Sequence, residues 1–335
     1  MLSKPIFIAE AGVNHNGDIS IAKKLIEYAK NADADYVKFQ TFNADNLTTA
    51  EAGLADYQKK QSSDYSNQYE MLKKYELSKE NHIDLINHCK KVGIKFLSTP
   101  FEVESLRLLI ELNLDLIKIS SGDLTNYFLL SEVAKSNLPI ILSTGMGNSK
   151  EINDALNCLT ENGLIKDKIT LLHCTTEYPC PFDEVNLLAM QSMRDEFGVK
   201  VGYSDHTEGV ATSIGAVALG ACVIEKHFTL DRNMDGPDHS ASLEPRELSF
   251  LVKRIRETAS AIGTGIKSPT KSEVKNLKIA RKSLVAKKDI RVGEKFSLEN
   301  ITAKRPGDGV SPMRFKEIIN KTAKKKYKKD QQIKI

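Results

Sequence analysis

The segment KVGYSDHTEGVATSIGAVALGACVIEKHF (residues 200–228) shows the repeating unit of the fold, because it holds one complete strand–helix–strand repeat. Its two ends, KVGYS (200–204) and CVIEKHF (222–228), are short apolar runs, and helical periodicity lies between them. Six earlier strands are predicted, namely IFIAE (6–10), YVKFQ (36–40), KFLST (95–99), LIKISS (116–121), IILST (140–144) and ITLLHC (169–174). Helical patterns such as KENHIDLINHCKKV alternate with them. Eight strand–helix units of this length predict an α/β fold, the (β/α)8 or TIM barrel.

A doubly wound open sheet is the alternative, but no G-x-G-x-x-G motif follows the first strand. The barrel is expected to occupy residues 1–263. Residues 43–76 form a long polar insertion after the second strand, for which we expect a loop over the barrel mouth. Residues 264–278 are predicted to be a linker. Residues 279–335 carry short strands with close turn signals and predict a small β-rich domain, which is small enough that we expect it to dock on another surface.

The composition, with 41% hydrophobic and 27% charged residues, is that of an ordinary globular protein. Because there is neither a run of about 18 apolar residues nor a signal-peptide pattern, we expect no membrane association and a cytoplasmic location. Five cysteines without C-x-x-C spacing suit reduced thiols. The lysine run KKKYKK (324–329) is typical of a solvated surface, so no nucleic-acid partner is expected.

Charged and hydroxyl side chains occupy the C-terminal ends of nearly all the predicted strands, where barrels of this kind carry their catalytic groups. They are Glu10, Lys38, Gln40, Thr99, Lys118, Ser121, Ser143, His173, Thr175, Ser204, His206, Glu225 and His227. Strand alternation places Ser204 and His206 on one face, and likewise Glu225 and His227. If these faces point inward, the two histidines converge near the mouth.

Histidine at a strand end is more often a hydrogen-bonded core residue than a metal ligand. Here, however, His206 and His227 end adjacent strands and have the acidic neighbours Asp205 and Glu225, which favours a metal site. Two imidazoles leave several coordination positions open, as a catalytic divalent ion requires. Such an ion could polarise a carbonyl oxygen.

Lys38 and Lys118 have two possible roles. A structural lysine inside the barrel would pair with Glu10 or Glu225. Alternatively, the two ammonium groups and the hydroxyls of four nearby strand ends resemble a cradle for phosphate or carboxylate, the hydroxyls being those of Thr99, Ser121, Ser143 and Ser204. The pattern leaves His173 and Tyr178 open between substrate contact and packing, and Asp238, Asn14 and His15 are first read as turn residues.

Ten motifs in register carry a resemblance to a known family. They are AEAGVNHNGD, VKFQTF, FLSTPF, IKISSGD, ILSTGM, LLHCTTEYP, GYSDHTEG, IEKHFTLD, GPDHSASLEP and KRPGDG. The set resembles the bacterial sialic acid synthases, which make N-acetylneuraminate and related nonulosonic acids such as legionaminic acid. The resemblance covers essentially the whole chain, and the C-terminal segment is similar to the family's antifreeze-like (SAF) domain.

The resemblance implies a metal-dependent condensation of phosphoenolpyruvate with an open-chain N-acylated amino sugar. Carbon 3 of phosphoenolpyruvate attacks the sugar aldehyde, water captures the cation at carbon 2, and phosphate leaves with C–O cleavage. The divalent ion, expected to be Mn²⁺ with Mg²⁺ or Co²⁺ as alternatives, would be held by His206 and His227. The expected acceptor is N-acetylmannosamine, giving N-acetylneuraminate. The alternative is 2,4-diacetamido-2,4,6-trideoxymannose, giving N,N'-diacetyllegionaminate.

The same match implies roles for the individual residues. Phosphoenolpyruvate would be held by Lys38, Thr99, Lys118, Ser121, Ser143 and Ser204, with Gln40 nearby. Glu10 would orient the aldehyde or a water, and Tyr178 and Asp238 would contact the sugar. Arg305 would reach from the SAF domain into the active site of the partner subunit of a domain-swapped homodimer. One departure is that Thr176 and Glu177 stand in the motif where some members carry asparagine, so that contact is not transferred to Thr176.

Three other functions remain possible. A Schiff-base aldolase would use Lys38 or Lys118 as the nucleophile on pyruvate. A sugar- or ice-binding protein organised around the SAF-like domain would not turn substrate over. A synthase with a phosphorylated acceptor, as in 3-deoxy-manno-octulosonate 8-phosphate synthesis, would need a second phosphate cluster, and the strand ends supply no spare arginines for it.

Overall fold

The computed structural model describes residues 4–54, 65 and 67–334. The chain divides into two compact units, Met1–Thr264 and Gly265–Ile335. The first unit contains eight parallel strands in the order β3-β2-β1-β8-β7-β6-β5-β4. Their bounds are β1 Ile6–Gly12, β2 Tyr36–Thr41, β3 Lys95–Pro100, β4 Ile117–Ile119, β5 Ile140–Ser143, β6 Ile169–His173, β7 Lys200–Asp205 and β8 Val223–His227. The first strand pairs with the last, and β3 and β4 lie side by side at the seam. The predicted TIM barrel is therefore confirmed.

The helices of the first unit alternate with the strands. Their bounds are α1 Ile19–Asn31, α2 Ala44–Leu47, α3 Gln68–Tyr75, α4 Lys79–Val92, α5 Val103–Glu111, α6 Tyr127–Lys135, α7 Ser149–Glu161, α8 Leu188–Phe197, α9 Ala211–Ala218 and α10 Pro245–Ile262. Side-chain caps start several of them; Ser78 and Asn148, for example, form capping boxes with the third helical residue of α4 and α7. The main core lies between strands and helices, whereas a smaller apolar cluster that includes Ile8, Leu97 and Leu172 fills the barrel interior.

The insertion after β2 is only partly a loop. It contains α2 and α3, which are joined where the backbone N–H of Ala44 donates to Glu76 Oε1 at 2.6 Å. Its middle, residues 55–64 and 66, lies outside the described residues, so the predicted loop there stays a prediction. The described part lines the barrel mouth, as expected, but does so with helices.

The second unit pairs β9 Ser283–Ala286 with β10 Ile301–Lys304 in an antiparallel sheet. It also contains α11 Lys271–Ala280 and α12 Phe315–Ile318, and α11 occupies part of the stretch that was predicted to be a linker. This unit has its own apolar core, which includes Leu284, Phe296 and Tyr327. The lysines of the 324–329 run are exposed around buried Tyr327. Across the described parts of both units, no helix combines the length and apolar character that a bilayer crossing requires.

Candidate active site

A cavity of about 400 Å³ opens at the C-terminal ends of the barrel strands. Sequence analysis placed thirteen residues in the site, and twelve of them line this cavity. They are Glu10, Lys38, Gln40, Thr99, Lys118, Ser121, Ser143, Tyr178, Ser204, His206, His227 and Asp238. The geometry thus brings the predicted groups together, while their individual roles stay predictions. The thirteenth, Arg305, is exposed in the second unit, where its Nε donates to the Ala280 carbonyl at 3.0 Å.

The floor of the cavity holds two lysines and two carboxylates, all buried. Lys38 Nζ lies 2.8 Å from Glu10 Oε2 and 3.7 Å from Glu225 Oε2, and it donates to Thr99 Oγ1 at 3.0 Å. Lys118 Nζ lies 3.7 Å from Glu225 Oε1. The ion pairs that a structural role would require are therefore present. The same ammonium groups nevertheless face an open cavity rather than packed side chains, so they can also bind an anion.

Hydroxyls complete this polar side. Lys118 Nζ donates to Ser143 Oγ at 2.7 Å and to the Ile119 carbonyl at 3.0 Å, and Ser204 Oγ donates to Glu225 Oε1 at 3.1 Å. Ser121 Oγ accepts from the backbone N–H of Gly145 at 3.0 Å. The arrangement offers several neutral donors beside two cations, which matches the needs of a dianionic phosphate next to a carboxylate.

Burial and charge set different protonation states for the two carboxyls. Burial raises the pKa of Glu10 to about 7, although Lys38 partly offsets the effect. Burial also acts on Glu225, but Lys118 and Lys38 together outweigh it and hold the pKa of that carboxyl below its ordinary value. Burial lowers the pKa of Lys118, with Lys38 contributing in the same direction. Glu225 is thus the permanent counter-ion, and Glu10 is able to exchange a proton near neutral pH.

The two histidines converge, as the strand alternation predicted. Their ring centroids are 5.8 Å apart, and the Tyr178 ring lies 4.2 Å from that of His206 and 5.7 Å from that of His227. His206 Nδ1 is 2.6 Å from the Thr175 carbonyl, so this nitrogen carries the proton, and the lone pair is on Nε2, which lies 3.4 Å from Ser204 Oγ. His227 Nδ1 is buried and has no hydrogen-bond partner among the described residues; Asp238 Oδ2 lies 3.8 Å away.

These features fit a divalent metal ion. Burial lowers the pKa of His206 to about 4 and that of His227 well below its ordinary value, so both imidazoles are neutral and able to coordinate. The buried, unpartnered nitrogen of His227 gives an independent reason to expect a ligand there. No group of three or more His, Cys, Asp or Glu residues suited to a metal occurs in the described part of the chain. The pair alone would leave most coordination positions to substrate and water.

Asp205 is next to His206 in sequence but does not line the cavity, so it is not available as a ligand beside the two histidines. Its side chain points to the outer face of β7, where its Oδ2 lies 3.0 Å from Lys226 Nζ. His173 also faces outward, because its Nε2 is 2.6 Å from the Val185 carbonyl and its ring lies against Tyr203. The cause is the same in both: successive residues of a strand point to opposite faces, so inward His206 requires outward Asp205.

The loops after β1 and β8 are joined beneath Asp238. The Asn14 side-chain amide donates to the Phe228 carbonyl at 2.9 Å and to Ser242 Oγ at 3.0 Å. Ser242 Oγ in turn donates to the backbone carbonyl of Asp238 at 2.6 Å. Asn14 is therefore more than a turn residue, because its amide fixes the loop that carries Asp238.

Sequence analysis missed one side of the cavity. Seven largely apolar side chains, which we call the apolar wall, line this part: Val13, Phe42, Leu47, Met71, Leu72, Tyr75 and Phe101. Two signals were available. Phe42 and Phe101 directly follow β2 and β3, and Met71, Leu72 and Tyr75 have helical spacing within YEMLKKY (69–75). The structure also adds Thr176, whose buried Oγ1 has no hydrogen-bond partner among the described residues.

Comparison with known proteins gives consistent matches. The NeuB family model matches residues 25–267, and the SAF domain model matches residues 281–335. The chain is 57% identical to an N,N'-diacetyllegionaminic acid synthase of Campylobacter jejuni, with 99% of each chain covered. It is 44% identical to one of Legionella pneumophila, covering 93% of this chain and 88% of the relative. The solved structure of the N-acetylneuraminic acid synthetase from Leptospira borgpetersenii superposes with a TM-score of 0.72 at 33% identity, covering 82% of this chain and 90% of that one.

Proposed function

The chain belongs to the NeuB family and ends in a SAF domain, and from this membership we propose that it is a nonulosonic acid synthase. It condenses phosphoenolpyruvate with an open-chain N-acylated amino sugar and releases phosphate. The observation that carries the proposal is the cavity, in which two buried ammonium groups with hydroxyl donors lie beside two neutral histidines. One site therefore offers cationic and hydroxyl donors for an anion, and imidazoles for a metal ion that would bind an aldehyde.

The proposed acceptor is 2,4-diacetamido-2,4,6-trideoxymannose, and the product is N,N'-diacetyllegionaminate. Sequence analysis ranked N-acetylmannosamine first. The two relatives named for legionaminate synthesis reverse that order, because they match nearly the whole chain and one of them is identical at more than half of the aligned positions.

In the proposed reaction Lys38 and Lys118 hold the phosphate and carboxylate of phosphoenolpyruvate, with donors from the hydroxyls of Thr99, Ser121, Ser143 and Ser204 and with Gln40 alongside. Carbon 3 of phosphoenolpyruvate forms a bond to the aldehyde carbon, and water adds to the cation at carbon 2. The adduct then breaks its C–O bond and phosphate leaves. Positioning and electrostatics supply most of the acceleration, since no covalent enzyme intermediate is needed.

His206 and His227 are proposed to hold a divalent ion, with Mn²⁺ first and Mg²⁺ or Co²⁺ as alternatives. When bound, such an ion polarises the aldehyde oxygen and stabilises its developing charge. Glu10 orients the aldehyde and can give a proton to its oxygen as the C–C bond forms and that oxygen becomes a hydroxyl, because the raised pKa of Glu10 lies near neutrality. Tyr178, which packs on both imidazoles, and Asp238 contact the sugar.

Arg305 is proposed to complete the site of a partner subunit in a domain-swapped homodimer. The support is its exposure and the similarity of residues 281–335 to the SAF domain. The proposed location is the cytoplasm, in keeping with five free thiols.

A Schiff-base aldolase is the second candidate, because buried Lys118 has a lowered pKa, as a nucleophilic lysine requires. The synthase is favoured because Lys118 Nζ donates to Ser143 Oγ and to the Ile119 carbonyl and lies 3.7 Å from Glu225 Oε1, contacts that favour the ammonium form over the neutral amine that a nucleophile requires. Borohydride reduction with pyruvate distinguishes the two, since only the aldolase gains covalent mass on a lysine.

The direct test is phosphate release from phosphoenolpyruvate with Mn²⁺ and each sugar in parallel. Release that requires both the metal and the diacetamido sugar is expected. Release with N-acetylmannosamine alone would correct the acceptor. No release from folded, metal-loaded protein with either sugar would overturn the reaction class.

A further inference from the structure

We infer that the apolar wall selects the acceptor: it binds the deoxygenated, N-acetylated end of the sugar and disfavours a sugar with hydroxyls there. The inference rests on the proposed function. It assigns substrate specificity to a segment that contributes no charged group to the cavity.

The first observation is where the wall lies. Val13, Phe42 and Phe101 each directly follow the last residue of β1, β2 and β3, respectively. Tyr75 and Asp238 both line the cavity; burial and then Tyr65 raise the pKa of the Tyr75 phenol, and the nearby charge of Asp238 acts in the same direction. Asp238 itself is 3.8 Å from His227. The wall therefore borders the part of the cavity where the acceptor sugar is expected.

The second observation is that the wall is packed in place. Met71 and Tyr75 are 3% and 1% exposed and form one apolar cluster with Val13 and Phe42. Helix α3 begins with a cap in which Asn67 Oδ1 accepts from the backbone N–H of Glu70 at 2.9 Å. Because Met71 and Tyr75 are buried and the first turn is capped, the helix presents a fixed surface, and a fixed surface can discriminate between substituents.

The third observation is chemical. Leu47, Leu72 and Phe101 are only half-buried, so they present hydrocarbon to the cavity. Gln68 is the polar residue that α3 adds to the lining; its Oε1 accepts from Thr48 Oγ1 at 3.3 Å, which leaves its amide N–H groups as donors. A hydrocarbon surface with one amide donor matches acetamido and methyl substituents.

The two acceptors differ in these substituents. The diacetamido sugar has a methyl group at carbon 6 and an acetamido group at carbon 4, where N-acetylmannosamine has hydroxyls. Burial of the methyl group against an apolar surface is favourable, whereas a hydroxyl buried there without a hydrogen-bond partner is unfavourable. Substituent differences of this size in an apolar pocket correspond to roughly 10–200-fold in kcat/KM.

The experiment compares kcat/KM for the two sugars, measured as phosphate release, in the wild-type protein and in Leu72→Asn. We expect the ratio of diacetamido sugar to N-acetylmannosamine to fall by about 10–100-fold, with the KM for phosphoenolpyruvate unchanged. Leu108→Asn is the matched control, since Leu108 is also a half-buried leucine, but on α5 away from the cavity lining. Its ratio should equal that of the wild type.

Leu47→Asn on α2 repeats the test on a different helix, so the inference remains falsifiable if Leu72→Asn does not fold. Equal losses with both sugars, or an unchanged ratio in the folded cavity variants, would overturn the inference and leave the proposed function standing. A wild-type protein that prefers N-acetylmannosamine would instead overturn the acceptor assignment, and the inference with it, before any variant is compared.

Discussion

Asp205 and Lys226 form a buried ion pair directly behind the two histidines. They are partners in the register of β7 and β8, their charged atoms are 3.0 Å apart, and each precedes one histidine in sequence. Burial opposes ionisation of Asp205, but Lys226 and the hydroxyl of Ser213 outweigh it and lower the pKa of the carboxyl. The pair on the outer face therefore locks the two strand ends that present His206 and His227 on the inner face.

Lys226→Met should lower the free energy of unfolding by about 3–5 kcal/mol, because it leaves a buried carboxylate without its counter-charge. Chemical denaturation measures the change. Lys200→Met, an exposed lysine at the start of β7, is the control and should stay within about 0.5 kcal/mol of the wild type. Equal stabilities of the two variants would contradict a structural role for the pair.

His206→Ala and His227→Ala should each reduce metal-dependent turnover by at least about 100-fold and weaken Mn²⁺ binding, while the protein stays folded. Metal binding is followed by electron paramagnetic resonance of free Mn²⁺ and turnover by phosphate release. His88→Ala is the control, because His88 pairs with Glu27 on the surface at 3.1 Å. Wild-type metal affinity in both cavity variants would remove the metal assignment.

His15→Asn should make stability less sensitive to acid. Burial, helped by His82 and His239, lowers the pKa of His15 to about 4, against about 6.5 in an unfolded chain. The unfolded chain then binds the extra proton between these values, so this contribution is complete above pH 6.5 and is lost as the pH falls towards 4. Asparagine can still accept from the Gly17 N–H, which donates to His15 Nδ1 at 3.0 Å.

Urea unfolding of metal-free protein at pH 7.5 and at pH 5 measures this effect. The loss of unfolding free energy between the two pH values should be about 2 kcal/mol smaller in the variant than in the wild type. An identical loss in both proteins would mean that His15 is already protonated in the fold or does not titrate in this window.

Arg305→Ala should lower kcat/KM by at least about 10-fold with little change in stability, because its guanidinium is exposed and would act on substrate. Mixing it with Lys118→Ala should restore part of the activity if sites are completed across a dimer, since some mixed dimers then contain one intact site. If the mixture shows only the average of the activities of the two variants, Arg305 does not complete the active site of a partner subunit.

The strand ends could be predicted because barrel topology fixes where they meet and alternation fixes which residues point inward. Those two rules account for ten of the twelve predicted residues that line the cavity, whereas Tyr178 and Asp238 lie on loops and were assigned by the family resemblance. Alternation also predicts that Asp205 and His173 point outward. Both were nevertheless considered as functional residues, because they are close in sequence to other candidates. Sequence does not show that an outward charge has a partner, and Lys226 supplies one only when β7 and β8 pair.

Two helices escaped prediction for different reasons. Helix α3 is short and lies in an insertion that is polar overall, so its apolar face was hidden by its surroundings. Helix α11 carried a readable signal, since Thr270 and Glu273 form a capping box, but its Gly- and Ser-rich approach favoured a linker. The ion-pair pattern of Lys38, Lys118, Glu10 and Glu225 depends on distances that only the closed barrel provides.

The two sides of the cavity come from different parts of the chain. The cationic side is built into the barrel strands, whereas most of the apolar wall comes from loop ends and from the two helices of the insertion. Acceptor preference could therefore evolve, or be redesigned, independently of the condensation chemistry. A library varied only at α2 and α3 would explore new sugars while every strand-borne group stayed in place.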